Sequence, residues 1–102
     1  MTGLEGLLGL GARAGSILIG VEAVRAGLQR ERCRVVVVAS DASPRAREKV
    51  ERLAAGRGIP RVVGPGSDAL GRQLGRPPVM VVGIVDPALA RGIVRAAPGG
   101  PA

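Results

Sequence analysis

Val35-Val36-Val37-Val38-Ala39-Ser40-Asp41-Ala42-Ser43-Pro44 decides how the rest of the chain is read. Five apolar residues run without any apolar–polar alternation, so the strand they form must be covered on both faces, as in a sheet held between helical layers. Ser43 then offers a helix cap, and Pro44 suits the first helical position, where a missing N–H costs nothing. Beyond it Ala46, Val50, Leu53 and Ala54 recur on one side of a helix, with Arg45, Glu48, Lys49 and Arg52 on the other. This central strand and its helix end near Gly56 or Gly58.

The same signals recur in both directions. Toward the C-terminus, Ile59 to Val63 reads as a short strand, and Pro60, which cannot donate to a ladder, places it at a sheet edge. Gly64-Pro65-Gly66 turns the chain into a brief helix, Ser67 to Leu74, closed by Gly75. Val79 to Val85 is a second continuous apolar run, expected beside the first. Asp86-Pro87 repeats the cap-then-proline signal before a last helix with Leu89, Ala90, Ile93 and Val94 on its buried side. Toward the N-terminus, Val21, Val24 and Leu28 mark a helix with Glu22, Arg25 and Gln29 on its outer face, and Ser16 to Gly20 is a strand. Thr2-x-x-Glu5 has the spacing of a capping box, opening a helix that carries Leu4, Leu7 and Leu8 and stops at Gly15. Strands and helices that alternate throughout imply an α/β domain with about four strands between helical layers. Alternation alone does not separate a parallel from a mixed sheet. Residues 1–97 are expected to form the single domain and 98–102 a flexible tail.

Composition narrows the chemistry. A chain of 102 residues hides about 65% of its unfolded surface, so its apolar residues must serve one core and no cleft between domains is available. It has no His, Phe, Tyr or Trp and one Cys. Without His there is no imidazole base, no Ser-His triad and no histidine-held zinc. A lone Cys33 makes neither an internal disulfide nor a thiolate cage, which points to a reducing, cytoplasmic setting. Val35 to Ala39 is far short of the roughly 20 residues that cross a bilayer, and Glu5 stands where a secretory leader would be basic; neither membrane insertion nor secretion is expected. The formal charge is +7, and 14 of the 15 basic residues are Arg, the side chain suited to bidentate phosphate contacts. A solubility charge or the codon bias of a base-rich genome explains the excess as well; nucleic acid is the functional alternative.

Three local features invite chemistry. Gly9-Leu10-Gly11-Ala12-Arg13-Ala14 spells the dinucleotide fingerprint, but it falls inside a helix with no strand before it, so small residues for close helix packing explain it better. Arg30-Glu31-Arg32-Cys33-Arg34 lies where a helix ends, and cations there offset the negative end of the helix dipole. Cys33, entering the central strand with no base to partner it, reads as a buried apolar residue. Gly20-Val21-Glu22 differs, because a glycine leading straight into a helix leaves N–H groups free for an anion such as RNA phosphate. Glu22 there either stabilises the helix dipole or accepts from the edge of an unstacked guanine, and Arg25, one turn along, reaches phosphate.

Gly20-x-Glu22, the 35–44 stretch, Ile59-Pro60 and Leu70-Gly71-Arg72-x-x-Gly75 before the Val79 strand, taken in this order, resemble the kink-turn-binding ribosomal proteins, the family of L7Ae, L30e and their short bacterial homologues. The resemblance covers roughly residues 4–97. It implies a three-layer α/β/α sandwich with a mixed sheet, and a non-enzymatic, RNA-binding role without cofactor or metal. It also implies three gripping segments: Gly20, Val21, Glu22, Ala23, Arg25 and Ala26; Asp41, Ser43 and Pro44; and Arg76, Pro77, Pro78 and Val79. Backbone amides of the first would meet phosphate and polar side chains the guanines of sheared G·A pairs, while the last would touch the flipped-out nucleotide. The family segment reads G-x-N-E-x-x-K, whereas Glu22, Ala23 and Ala26 stand at its N, E and K positions. The expected function is therefore binding of structured or ribosomal RNA by a cytoplasmic, ribosome-associated protein that is a monomer when free. The alternative is a protein-interaction module that kept the sandwich and lost the RNA grip, contacting a protein partner.

Overall fold

In the computed structural model, which describes residues 3–97, all four side chains of the strand β2 (Val35–Val38) are fully enclosed. The uninterrupted apolar run thus has the two-sided cover it demands. The other elements are α1 (Leu4–Ala14), β1 (Ile17–Ile19), α2 (Val21–Gln29), α3 (Pro44–Gly56), β3 (Arg61–Val63), α4 (Ser67–Gln73), β4 (Val81–Ile84) and α5 (Pro87–Ala96). The sheet order is β1-β4-β2-β3, with β4 antiparallel to both neighbours and β3 parallel to β2. The sheet is therefore mixed, and β1, β2 and β3 run the same way. Helices α2 and α3 pack on each other in one layer, and α1 packs on α4 and α5 in the other, giving a three-layer sandwich. Leu8, Val24, Leu28, Val50, Leu70 and Ile93 bring these layers onto the strands, and each is fully buried.

The caps at Ser43 and Asp86 form as their spacing requires. Ser43 Oγ accepts from the Ala46 N–H at 3.2 Å, and Asp86 Oδ1 accepts from those of Ala88 and Leu89 at 2.8 and 3.2 Å. At α1 the cap is different: Gly3 precedes the helix without a side-chain cap, and Glu5, in the first turn, accepts from Gln73 Nε2 of α4 at 3.4 Å. Thr2 of the capping box and the expected tail 98–102 lie outside the described residues. Pro60 stands just before β3, at the edge where a proline is tolerated, and its carbonyl still accepts from the Val36 N–H at 3.0 Å. Strands β3 and β4 are shorter than their apolar runs.

Inside α1, Gly11 is buried, and a Cβ there would come within 2.7 Å of Leu89 and 2.9 Å of Ile17. Close helix packing accounts for the fingerprint letters. Helix α2 ends with Arg30 as its C-cap and no basic residue in its last turn. Arg30, Arg32 and Arg34 are exposed and begin at the cap itself, so the cluster lies at the helix end as its position in the sequence suggests. Cys33 is buried, its Sγ donating to the Val35 carbonyl at 3.3 Å, and burial pushes its thiol pKa up. That suits an inert core thiol.

Candidate nucleic-acid interface

Strand direction decides what meets at the functional end. Ile19 pairs with Val82, while Val38 pairs with both Val81 and Val63, so the ends of β1, β2 and β3 are level with the start of β4. All three segments singled out in the sequence leave the sheet at this one end. The Gly20 N–H donates to the Val81 carbonyl at 2.9 Å, and the Ala39 N–H donates to the Met80 carbonyl at 2.8 Å. The lead-in to β4 is thereby held between the start of α2 and the loop before α3.

Gly20 adopts φ 97°, ψ 161°, a conformation open to glycine almost alone. It turns the chain from β1 into α2 and offers no side-chain cap, so the N–H groups of Val21, Glu22 and Ala23 have no acceptor from the helix or its cap. Across from them runs Arg76 to Val81, and between the two lies an open groove of about 490 Å³ lined by Ile19, Gly20, Val21 and that segment. Among the described residues no carboxylate lines it and Arg76 is its one charge, so this lining is mostly apolar rather than strongly cationic. Met80, 39% exposed, is one of its apolar lining residues. Ile19 and Met80 were not legible as site residues, because only the antiparallel pairing brings them together.

Gly71 holds the far wall in place. A Cβ on Gly71 would stand 2.3 Å from the Pro77 carbonyl oxygen and 2.8 Å from that of Arg76, and the Gly71 carbonyl accepts from the Arg76 N–H at 2.8 Å. The Leu70-Gly71-Arg72-x-x-Gly75 stretch is thus a seat for the loop that follows it. Arg76, Pro77 and Pro78 are exposed on that loop. Val79 also lines the groove but is buried, with its N–H bonded to the Ser67 carbonyl, so it anchors the end of the loop.

The polar side chains among the remaining candidates are engaged within the protein. Asp41 accepts from the Ser67 N–H at 2.7 Å and from its hydroxyl at 2.9 Å, which clamps the β2–α3 loop to the start of α4 and holds its carboxyl below the usual carboxylate range. Ser43 caps α3, and Pro44 is exposed at its first turn. Glu22 and Arg25 pair with each other at 3.3 Å on the outer face of α2, an exposed contact that an arriving ligand displaces at little cost. Ala23 and Ala26 are half-buried and offer no polar atom beyond the backbone.

The family model described as the ribosomal protein L7Ae/L30e/S12e/Gadd45 family matches residues 3–93. Among solved structures, a protein with unknown function from Bacillus halodurans C is similar at 29% identity and TM-score 0.89, covering 94% of this chain and 97% of that one. A 15.5kD RNA binding protein from Giardia lamblia is similar at 26% identity and TM-score 0.75, covering 91% and 79%. No curated protein sequence matches the chain significantly.

Proposed function

Since the chain belongs to the ribosomal protein L7Ae/L30e/S12e/Gadd45 family, we propose that it binds structured RNA of the kink-turn type without catalysing a reaction, as a component of ribosomal or other RNA assemblies. The observation that carries the reading is the groove in which Gly20 and Val21, at the uncapped start of α2, lie with the exposed Arg76-Pro77-Pro78 loop. The positive end of the α2 dipole and its amides take a phosphate of the bent backbone. The apolar wall of Ile19, Pro77, Pro78 and Met80 receives an extruded nucleotide, and Arg76 meets its phosphate or stacks on its base. Glu22, released from Arg25, accepts from a guanine, and Arg25 turns to phosphate. The 15.5kD relative named as an RNA binding protein supports the same assignment.

Gel shifts with a kink-turn RNA, a matched duplex and a single strand, each at several salt concentrations, test the reading. Kink-turn RNA is expected to bind tightest, with an affinity that falls steeply with salt as phosphate contacts release counterions. Equal affinity for all three would reduce the binding to the attraction of a +7 chain for any polyanion. No binding to any of them would favour a protein partner, in keeping with the alanines at positions 23 and 26.

A further inference from the structure

The groove described above uses little of the chain's charge. A second groove of about 500 Å³ runs between α2 and α3, and among the described residues Arg25, Arg45, Lys49, Arg52 and Arg57 line it with a single carboxylate, Glu48. Five cations against one acid leave a net +4, more than half of the chain's +7. Glu48 is itself taken by Arg52 at 3.0 Å.

Helix stability does not call for this arrangement. Arg45 stands in the first turn of α3, where the dipole disfavours a cation and where no acidic residue accompanies it. Arg52 pairs with Glu48, but Arg45 and Lys49, four residues apart, have no ion pair among the described residues, so two like charges face one another along one side of the helix. A fold that sets such repulsion against itself in one hollow is suited to an anionic ligand that relieves it.

The position of the hollow indicates which ligand. Strands β1 and β2 are parallel, so α2 and α3 both start at the end of the sheet that carries Gly20. Arg25, one turn into α2, lines the second groove and is paired with Glu22 beside the first. From Arg45 to Arg57 the wall extends roughly 18 Å at the helical rise. Four of the five cations are Arg, and no ring is available to stack a base, so a regular phosphate backbone fits better than an unstacked strand.

We infer that the α2–α3 groove tracks the phosphate backbone of a helical RNA arm that continues from the RNA held at Gly20 and Arg76. This rests on the RNA-binding reading above and extends it from one bend to the arm beside it. Arg45, Lys49 and Arg57 act on that arm through charge alone, without reading its sequence.

The test compares kink-turn RNAs with a short and a long arm, using the wild-type chain and the Arg45→Gln, Lys49→Gln, Arg57→Gln triple variant. A control variant, Arg13→Gln, Arg91→Gln, Arg95→Gln, removes the same charge from α1 and α5 in the other layer, and thermal melts establish that both are folded. In the wild type the long arm is expected to bind about tenfold tighter than the short one, with a salt slope steeper by roughly two to three contacts. The groove variant loses that advantage and keeps its short-arm affinity, and the control variant keeps both. An unchanged long-arm advantage in the groove variant, or an equal loss in the control, overturns the inference while leaving the RNA-binding reading intact. Wild-type protein that binds short-arm RNA no better than plain duplex overturns that reading instead. A groove variant that loses only polyglutamate binding would assign the groove to an acidic protein, and the inference would fall.

Discussion

Two glycines do at single positions what no other residue can. Gly20 sits in a backbone region that costs other residues about 1–3 kcal/mol, although a Cβ there would touch nothing. Gly20→Ala should therefore lower unfolding stability by about that much in denaturant melts, and its RNA affinity should fall further because the amides of α2 are re-aimed. Gly71 is the reverse case, with ordinary backbone but a carbonyl in the space a methyl needs. Gly71→Ala has to push Arg76 and Pro77 outward, with an expected loss of about 1–3 kcal/mol and a weaker kink-turn affinity; unaltered binding would detach that loop from the site. Asp41 gives a pH signature. Its bonds to the Ser67 amide and hydroxyl hold its pKa below the ordinary 3.8, so the stabilisation is complete above that value and disappears as the pH falls through the lower folded-state value. Asp41→Asn should lack this acid-side loss, and the two stability curves should converge toward acid.

At the scale of elements, legibility followed burial and capping. The runs that became β2 and β4 were readable because a strand enclosed on both sides has to be continuously apolar, and α3 and α5 were readable from a capping side chain followed by proline. The direction of β4 was not. Val81–Ile84 is buried throughout and has no alternation to orient it, so nothing local distinguishes antiparallel from parallel pairing. The edge strand shows a tertiary lock that was equally invisible: Arg61 Nη1 lies 2.9 Å from Glu51 Oε2 of α3, the side chains being 24% and 29% exposed. Those two atoms are enclosed without an aligned hydrogen bond, so charge holds them together. Arg61→Met leaves Glu51 with Arg47 at 3.7 Å, and should cost about 1–3 kcal/mol in chemical denaturation. Glu51→Gln combined with Arg61→Met should recover part of that loss; additive losses would show that the two residues do not interact.

Over the whole molecule, the candidate site was legible as segments and illegible as surface. Gly20 to Ala26 and Arg76 to Pro78 could be marked along the chain because a glycine before a helix and a proline pair after one carry local meaning. That they face each other, with Ile19 and Met80 between, depends on β4 running against β1. The +4 hollow between α2 and α3 was hidden more deeply, since each helix taken alone shows only a solvated polar face. Concentrated charge has a thermodynamic consequence for the intact chain: cations that repel one another destabilise the free fold, and anything that screens or neutralises them stabilises it. The free protein should therefore melt higher as salt rises from about 0.01 M, where the Debye length is roughly 30 Å, to about 0.15 M, where it is roughly 8 Å. Kink-turn RNA at 100 times its dissociation constant should add about 2.7 kcal/mol, which for a domain of this size raises the melting temperature by roughly 10–20 °C. Salt then acts in opposite directions on the two states, because the same ions that relieve the free protein compete for the phosphate contacts. Melting curves with and without RNA should approach one another as salt increases; parallel curves would mean that the stabilisation from RNA owes little to the cations.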